Sequence, residues 1–77
     1  MEIKDFIKNF SDLFEDTDLQ EFAPETNYRD LDEWSSLIAL SVLAMIDEEY
    51  DVQLKGAEMR ATNTLQELFD LVSSKLD

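Results

Sequence analysis

Along three stretches of this 77-residue chain the apolar residues return at helical intervals, and no stretch alternates with the two-residue period of a strand. Ile3, Phe6, Ile7, Phe10, Leu13 and Phe14 form one stripe of an α-helix, with Lys4, Asp5, Lys8 and Asp12 off it. This spacing predicts a first helix over residues 2–14. Ala39, Val42, Leu43, Ile46 and Tyr50 make the inward face of a second helix, which opens at Ser35 or Ser36. Either hydroxyl can accept a hydrogen bond from the free N–H groups of a helix start. Leu37, Ile38 and Met45 are then left over, so this helix is either buried on nearly all sides or offers an apolar surface to a partner. The last helix opens with a capping box, Thr64-Leu65-Gln66-Glu67. Its stripe is Leu65, Leu68, Phe69, Val72 and Leu76, and Lys75 sits in its final turn, where the helix dipole favours a cation.

Residues 15–34 show no helical period and contain the only proline, Pro24. A connection of that length is long for a small domain. Leu19, Phe22, Tyr28, Leu31 and Trp34 are spaced through it as anchors, so it is expected to be an ordered crossover. Residues 51–63 contain the only glycine, Gly56, and a short helical turn is expected over Ala57 to Arg60. The expected fold is all-α: a small bundle of three main helices plus one short helix, with a long loop between helices one and two, and one domain over residues 1–77.

Composition narrows the chemistry. Six basic residues against nineteen acidic ones leave a formal charge of −13, and there is neither histidine nor cysteine. Twenty-three residues are Leu, Ile, Val or Phe, above the level at which an acidic chain stays disordered. Disulfides, Cys/His zinc sites and histidine-dependent catalytic triads are excluded. A chain without clustered Lys and Arg is not expected to bind nucleic acid. No apolar run approaches the roughly 20 residues that span a bilayer, and residues 1–6 lack the apolar core of a secretory signal. A cytoplasmic, soluble monomer is expected.

Few residues offer chemistry. Asp16-Thr17-Asp18 and Asp30-Leu31-Asp32 lack the glycine and glutamate of a calcium loop, so no dedicated metal site is expected. Asp47, Glu48 and Glu49 are consecutive on one helix and fan around it, which suits solvated charge better than acid–base catalysis. What remains is Ser35-Ser36-Leu37, where the long loop meets the second helix. One serine can be a plain helix cap. A hydroxyl in the first turn is also exposed at the positive end of the macrodipole, where an attached phosphate would be stabilised.

At these residues the chain resembles a known family. Asp30-Leu31-Asp32-Glu33-Trp34-Ser35-Ser36-Leu37, followed by Ile38 to Tyr50 and Asp51-Val52, is similar to the prosthetic-group segment of acyl carrier proteins, which carry Asp-Ser-Leu at a loop-to-helix junction. The likeness extends over the whole chain, from the first helix through the long loop to the last helix opened by Thr64-Leu65. It implies that Ser36 receives 4′-phosphopantetheine from coenzyme A through a separate Mg²⁺-dependent phosphopantetheinyl transferase. It also implies that the arm's thiol holds acyl groups as thioesters. Leu37, Asp47 and Glu48 match positions that help dock acyl-loading and acyl-transferring enzymes bearing basic patches, and the inner faces of helices two to four would shelter the acyl chain.

The chain departs from the family pattern in two respects. Ser35 stands where an aspartate usually precedes the modified serine; it caps a helix nearly as well, but a partner that reads the carboxylate loses it. Ile38 and Ser41 stand where many fatty-acid carriers have acids, so electrostatic steering falls to Asp47, Glu48 and the loop acids. Register with Leu37 selects Ser36 over Ser35. The resemblance implies a discrete, non-catalytic carrier for a fatty-acid, polyketide or specialised acyl pathway, with a peptidyl or D-alanyl carrier as its relative. The competing reading is an acidic helical interaction module without a prosthetic group, using Leu37, Ile38 and Met45 as its contact patch.

Overall fold

A computed structural model describes residues 2–76. The end residues of the expected domain, Met1 and Asp77, lie outside the described residues. In chain order come α1 (Ile3–Ser11), two single 3₁₀ turns (Leu19–Glu21 and Tyr28–Asp30), α2 (Ser36–Tyr50), α3 (Gly56–Arg60) and α4 (Leu65–Ser74). No strand occurs among the described residues; one isolated antiparallel bridge joins Asn27 to Thr64. The fold is the expected all-α bundle of three main helices and one short one.

α1 packs against α2 and α4. Its stripe buries Phe6, Ile7 and Phe10, and the Phe6 ring meets Tyr50 of α2 at 5.7 Å and Phe69 of α4 at 5.6 Å between centroids. Asn9 Nδ2 donates to the Tyr50 hydroxyl at 2.9 Å. Burial raises the Tyr50 pKa above its ordinary value. α1 ends at Ser11, short of the expected residue 14. The reason is local: the Ser11 hydroxyl donates to the Lys8 carbonyl, and Leu13 and Phe14 bond back to Phe10 and Ser11 in tightened i→i+3 turns. Phe14 still reaches the core from outside the helix.

The crossover between α1 and α2 is ordered by its aromatic residues. Phe22 packs against Phe14 at 5.1 Å and Phe10 at 6.0 Å, and Tyr28 packs against Phe10 at 5.6 Å. The Trp34 ring lies parallel to Phe10 at 6.3 Å and edge-on to Tyr28 at 5.0 Å. Phe22 and Tyr28 are buried and Leu31 and Trp34 are half-buried against the core. Leu19 is a correction: it is 56% exposed, because the first 3₁₀ turn aims Phe22 inward and leaves Leu19 on the outer side.

The crossover also completes α4. The free N–H groups of Leu65 and Gln66 donate to the carbonyls of Thr26 and Pro24, at 3.1 and 2.8 Å. Thr64 Oγ1 accepts from Glu67 N while the Glu67 carboxylate accepts from Thr64 N and Asn63 N, the expected capping box. Tyr28, fully buried, places its hydroxyl 2.6 Å from Thr62 Oγ1 and 3.0 Å from the Met59 carbonyl, so the loop is bonded to the end of α3.

The remaining expectations are met with small shifts. α3 starts one residue earlier than expected, at Gly56. Asp51 ends α2 in the left-handed region at φ 55°, a conformation more often given to glycine or asparagine. α4 stops at Ser74, after which i→i+3 bonds turn Leu76 off the stripe to 43% exposure. Lys75 caps that end and pairs with Glu58 of α3 at 2.7 Å.

Candidate functional site

The junction of crossover and α2 is held from three sides. Glu33 reaches back to the segment after α1: its carboxylate accepts from Glu15 N at 3.1 Å, Asp16 N at 2.8 Å and the Thr17 hydroxyl at 2.6 Å. The Thr17 hydrogen bond, with those backbone N–H groups, holds the Glu33 carboxyl below its ordinary pKa. Trp34 is fixed by stacking on Phe10 and by edge-on contact with Tyr28. Ser35 then caps α2, its Oγ accepting from Ile38 N at 3.2 Å.

Those restraints leave Ser36 in the first turn of α2 as an exposed residue. Its hydroxyl has no hydrogen-bond partner among the described residues, and the same is true of the Ser36 and Leu37 N–H groups beside it. The two serines thus have different occupations: one hydroxyl is used by the helix and the other is free.

Next to the serines lies an open cavity of about 610 Å³, within the range of small-molecule pockets. Its walls are apolar, from Trp34 of the crossover, Ala39 and Leu43 of α2 and Met59 of α3. Its polar lining is Ser35, Ser36, Arg29 and Arg60. α4 contributes no lining residue, so the shelter expected among helices two to four is made by α2, α3 and the crossover. A shallower depression of about 390 Å³ lies between α1 and α2, near Asn9 and Glu48.

α2 resolves the surplus of apolar residues seen in its sequence. Leu37 and Leu40 are 74% and 64% exposed, while Ile38 is half-buried. Met45 is buried in the core, which corrects the expected Leu37–Ile38–Met45 contact patch. The exposed stripe instead runs Leu37, Leu40, Ala44, Asp47 and Glu48, residues that share one side of a helix of 3.6 residues per turn. Asp47 and Glu48 stand about 16 Å along the axis from Ser36 and Leu37, so the acids are on the serine's side of the helix but not near it. Sequence reasoning missed Glu33, Arg29 and Arg60. A lone acid in a loop and two scattered arginines carry no signal until the chain is folded.

The chain is 31% identical over 61 residues to polyketide-8 synthase acyl carrier protein 2 of Streptomyces avermitilis, an alignment covering 79% of this chain and 70% of that protein. No protein-family profile matches the chain, and no solved structure matches it. The chain belongs to the acyl carrier protein family.

The residues at the junction fit the family's prosthetic group. Beside Ser36 lie two N–H groups of the α2 start without partners and the open cavity, surroundings that suit a phosphate-linked group. No helix among the described residues is long and apolar enough to cross a membrane.

Proposed function

We propose that residues 1–77 form one acyl carrier domain that bears 4′-phosphopantetheine on Ser36 and presents acyl groups to separate enzymes. The observation that carries this is the division between neighbouring hydroxyls: Ser35 Oγ is taken by Ile38 N, and Ser36 Oγ is exposed and unengaged beside the cavity. Attachment needs no base in this chain. Ser36 Oγ bonds to the pantetheine-side phosphorus of coenzyme A, the pyrophosphate P–O bond breaks, 3′,5′-ADP leaves and the hydroxyl proton passes to the transferase. When bound, the arm supplies a terminal thiol on which acyl groups ride as thioesters.

The chain's own residues then position and present. Ser35 fixes the first turn of α2, while Glu33 and Trp34 hold the loop that leads into it. Leu37 and Leu40 give partner enzymes an apolar contact, and Asp47 and Glu48 give them charges complementary to a basic patch. The polyketide synthase carrier among its relatives supports a polyketide or related specialised pathway over general fatty-acid supply. The chain acts as a monomer in the cytoplasm and is itself a substrate of its partner enzymes. Burial of Met45 removes one of the three residues on which an interaction module without a prosthetic group depended.

Peptide mapping tests the attachment. After treatment with coenzyme A, Mg²⁺ and a broad-specificity phosphopantetheinyl transferase, the tryptic fragment between Arg29 and Lys55 gains one phosphopantetheinyl mass, localised by fragmentation to Ser36. A modified Ser35 moves the site, and an unmodified chain contradicts the reading.

A further inference from the structure

The chain has nineteen acidic residues and only two arginines, Arg29 and Arg60. Both line the cavity beside Ser36. Neither has a carboxylate within 4.0 Å among the described residues; the ion pairs there are made by lysines, Lys8 with Asp12 and Lys75 with Glu58. Both are exposed, so in this acidic molecule two arginines without a carboxylate partner stand at the edge of one apolar space.

Arg29 is also held in place. Arg29 Nη2 donates to Asn63 Oδ1, which orients the guanidinium and leaves its other N–H groups available. Arg60 folds back over Gly56, the only glycine of the chain, so that a Cβ at that position would sit 3.1 Å from Arg60 Nη1. The bare Cα of Gly56 therefore gives the guanidinium room against the cavity. A plain hydrocarbon in this space gains nothing from the two exposed charges beside it. A carboxylate would pair with them, and the planar fork of arginine matches it better than lysine does.

We propose that Arg29 and Arg60 form a guanidinium pair that recognises a carboxylate at the free end of an acyl group lodged in the α2–α3 cavity. The cavity thereby favours carboxyl-bearing acyl cargo over a plain hydrocarbon chain. This rests on the carrier reading above and names the chemistry of its cargo.

The test compares two thioesters of the full chain, octanoyl and its ω-carboxy analogue, each installed from the corresponding coenzyme A thioester by a phosphopantetheinyl transferase. Cleavage by hydroxylamine is followed by intact mass. The ω-carboxy thioester is expected to be cleaved roughly tenfold more slowly than octanoyl, the effect of one charge-assisted hydrogen bond. The difference collapses in the Arg29→Gln/Arg60→Gln double variant, with an unchanged melting curve showing that the fold is kept. If that variant unfolds, the Arg29→Lys/Arg60→Lys pair serves in its place and is expected to lose most of the protection. Equal cleavage of the two thioesters, or protection that survives the substitutions, overturns the proposal. So does an unacylated arm whose thiol alkylation accelerates by the same factor in the variant, because the arginines then serve the arm's phosphodiester. A chain that gains no mass from the transferase contradicts the carrier reading itself, and the cargo proposal falls with it.

Discussion

Ser35 Oγ accepts a hydrogen bond from the Ile38 backbone N–H at 3.2 Å, and this one contact assigns different work to two adjacent serines. Ser35 belongs to the helix, whereas Ser36 has its hydroxyl free in the first turn. Ser35→Ala is expected to cost about 1 kcal/mol of folding stability, as for other lost N-caps. Ser36→Ala is expected to stay within about 0.5 kcal/mol of wild type. Urea denaturation of the two variants checks the assignment; equal losses would mean that the cap is shared.

Tyr28 ties the crossover to the end of α3 through its hydroxyl. Tyr28→Phe keeps the ring packing on Phe10 and Trp34 but leaves Thr62 Oγ1 and the Met59 carbonyl with one partner fewer. The expected loss is about 1–2 kcal/mol in denaturant unfolding. A neutral result would show that Thr62, which donates to the Met59 carbonyl by itself, satisfies the group without Tyr28.

Glu33 predicts how the junction responds to acid. Its pKa is lowered in the folded chain, first by the Thr17 hydroxyl and then by the backbone N–H groups of Asp16, Glu15 and Thr17. A depressed folded pKa means a contribution present above the unfolded value, about 4.3, and lost as pH falls through the folded value. Wild type should therefore melt above Glu33→Gln at pH 7, with the gap closing below about pH 4. Melting curves from pH 7 to pH 3 decide this; a gap that is constant with pH contradicts the ionised clamp.

The net charge of −13 is met by only two ion pairs among the described residues, one of them the exposed Lys8–Asp12 pair. Self-repulsion should lower the melting temperature at low ionic strength. Raising salt to about 0.15 M, where the Debye length is about 8 Å, or adding millimolar Mg²⁺, is expected to raise it. A flat response would refute the repulsion argument.

How far the sequence could be read depended on the range of the interactions. α1, α2 and α4 follow from local spacing, and the Thr64–Glu67 capping box is legible because its partners are three residues apart. Register with Leu37 points to Ser36, which the structure leaves exposed in the first turn of α2. The hidden parts are long-range. Glu33 binds residues sixteen to eighteen positions back, Pro24 and Thr26 serve N–H groups of α4, and Trp34 stacks on Phe10 of α1. The apolar period also overran two helix ends. At Phe14 and Leu76 it continues after the backbone has tightened into i→i+3 turns, which keep one residue in the core and release the other. Met45 looked surplus because the inward face of α2 is wider than one stripe; Val42, Met45 and Ile46 are all buried.

The central claim is that Ser36 is the point of attachment, and intact-protein mass tests it most directly. Wild type, Ser35→Ala and Ser36→Ala are each incubated with coenzyme A, Mg²⁺ and a broad-specificity phosphopantetheinyl transferase. The account predicts that wild type and Ser35→Ala gain one phosphopantetheinyl mass and that Ser36→Ala, still folded by circular dichroism, gains none. A folded Ser36→Ala that is modified as readily as wild type would contradict it.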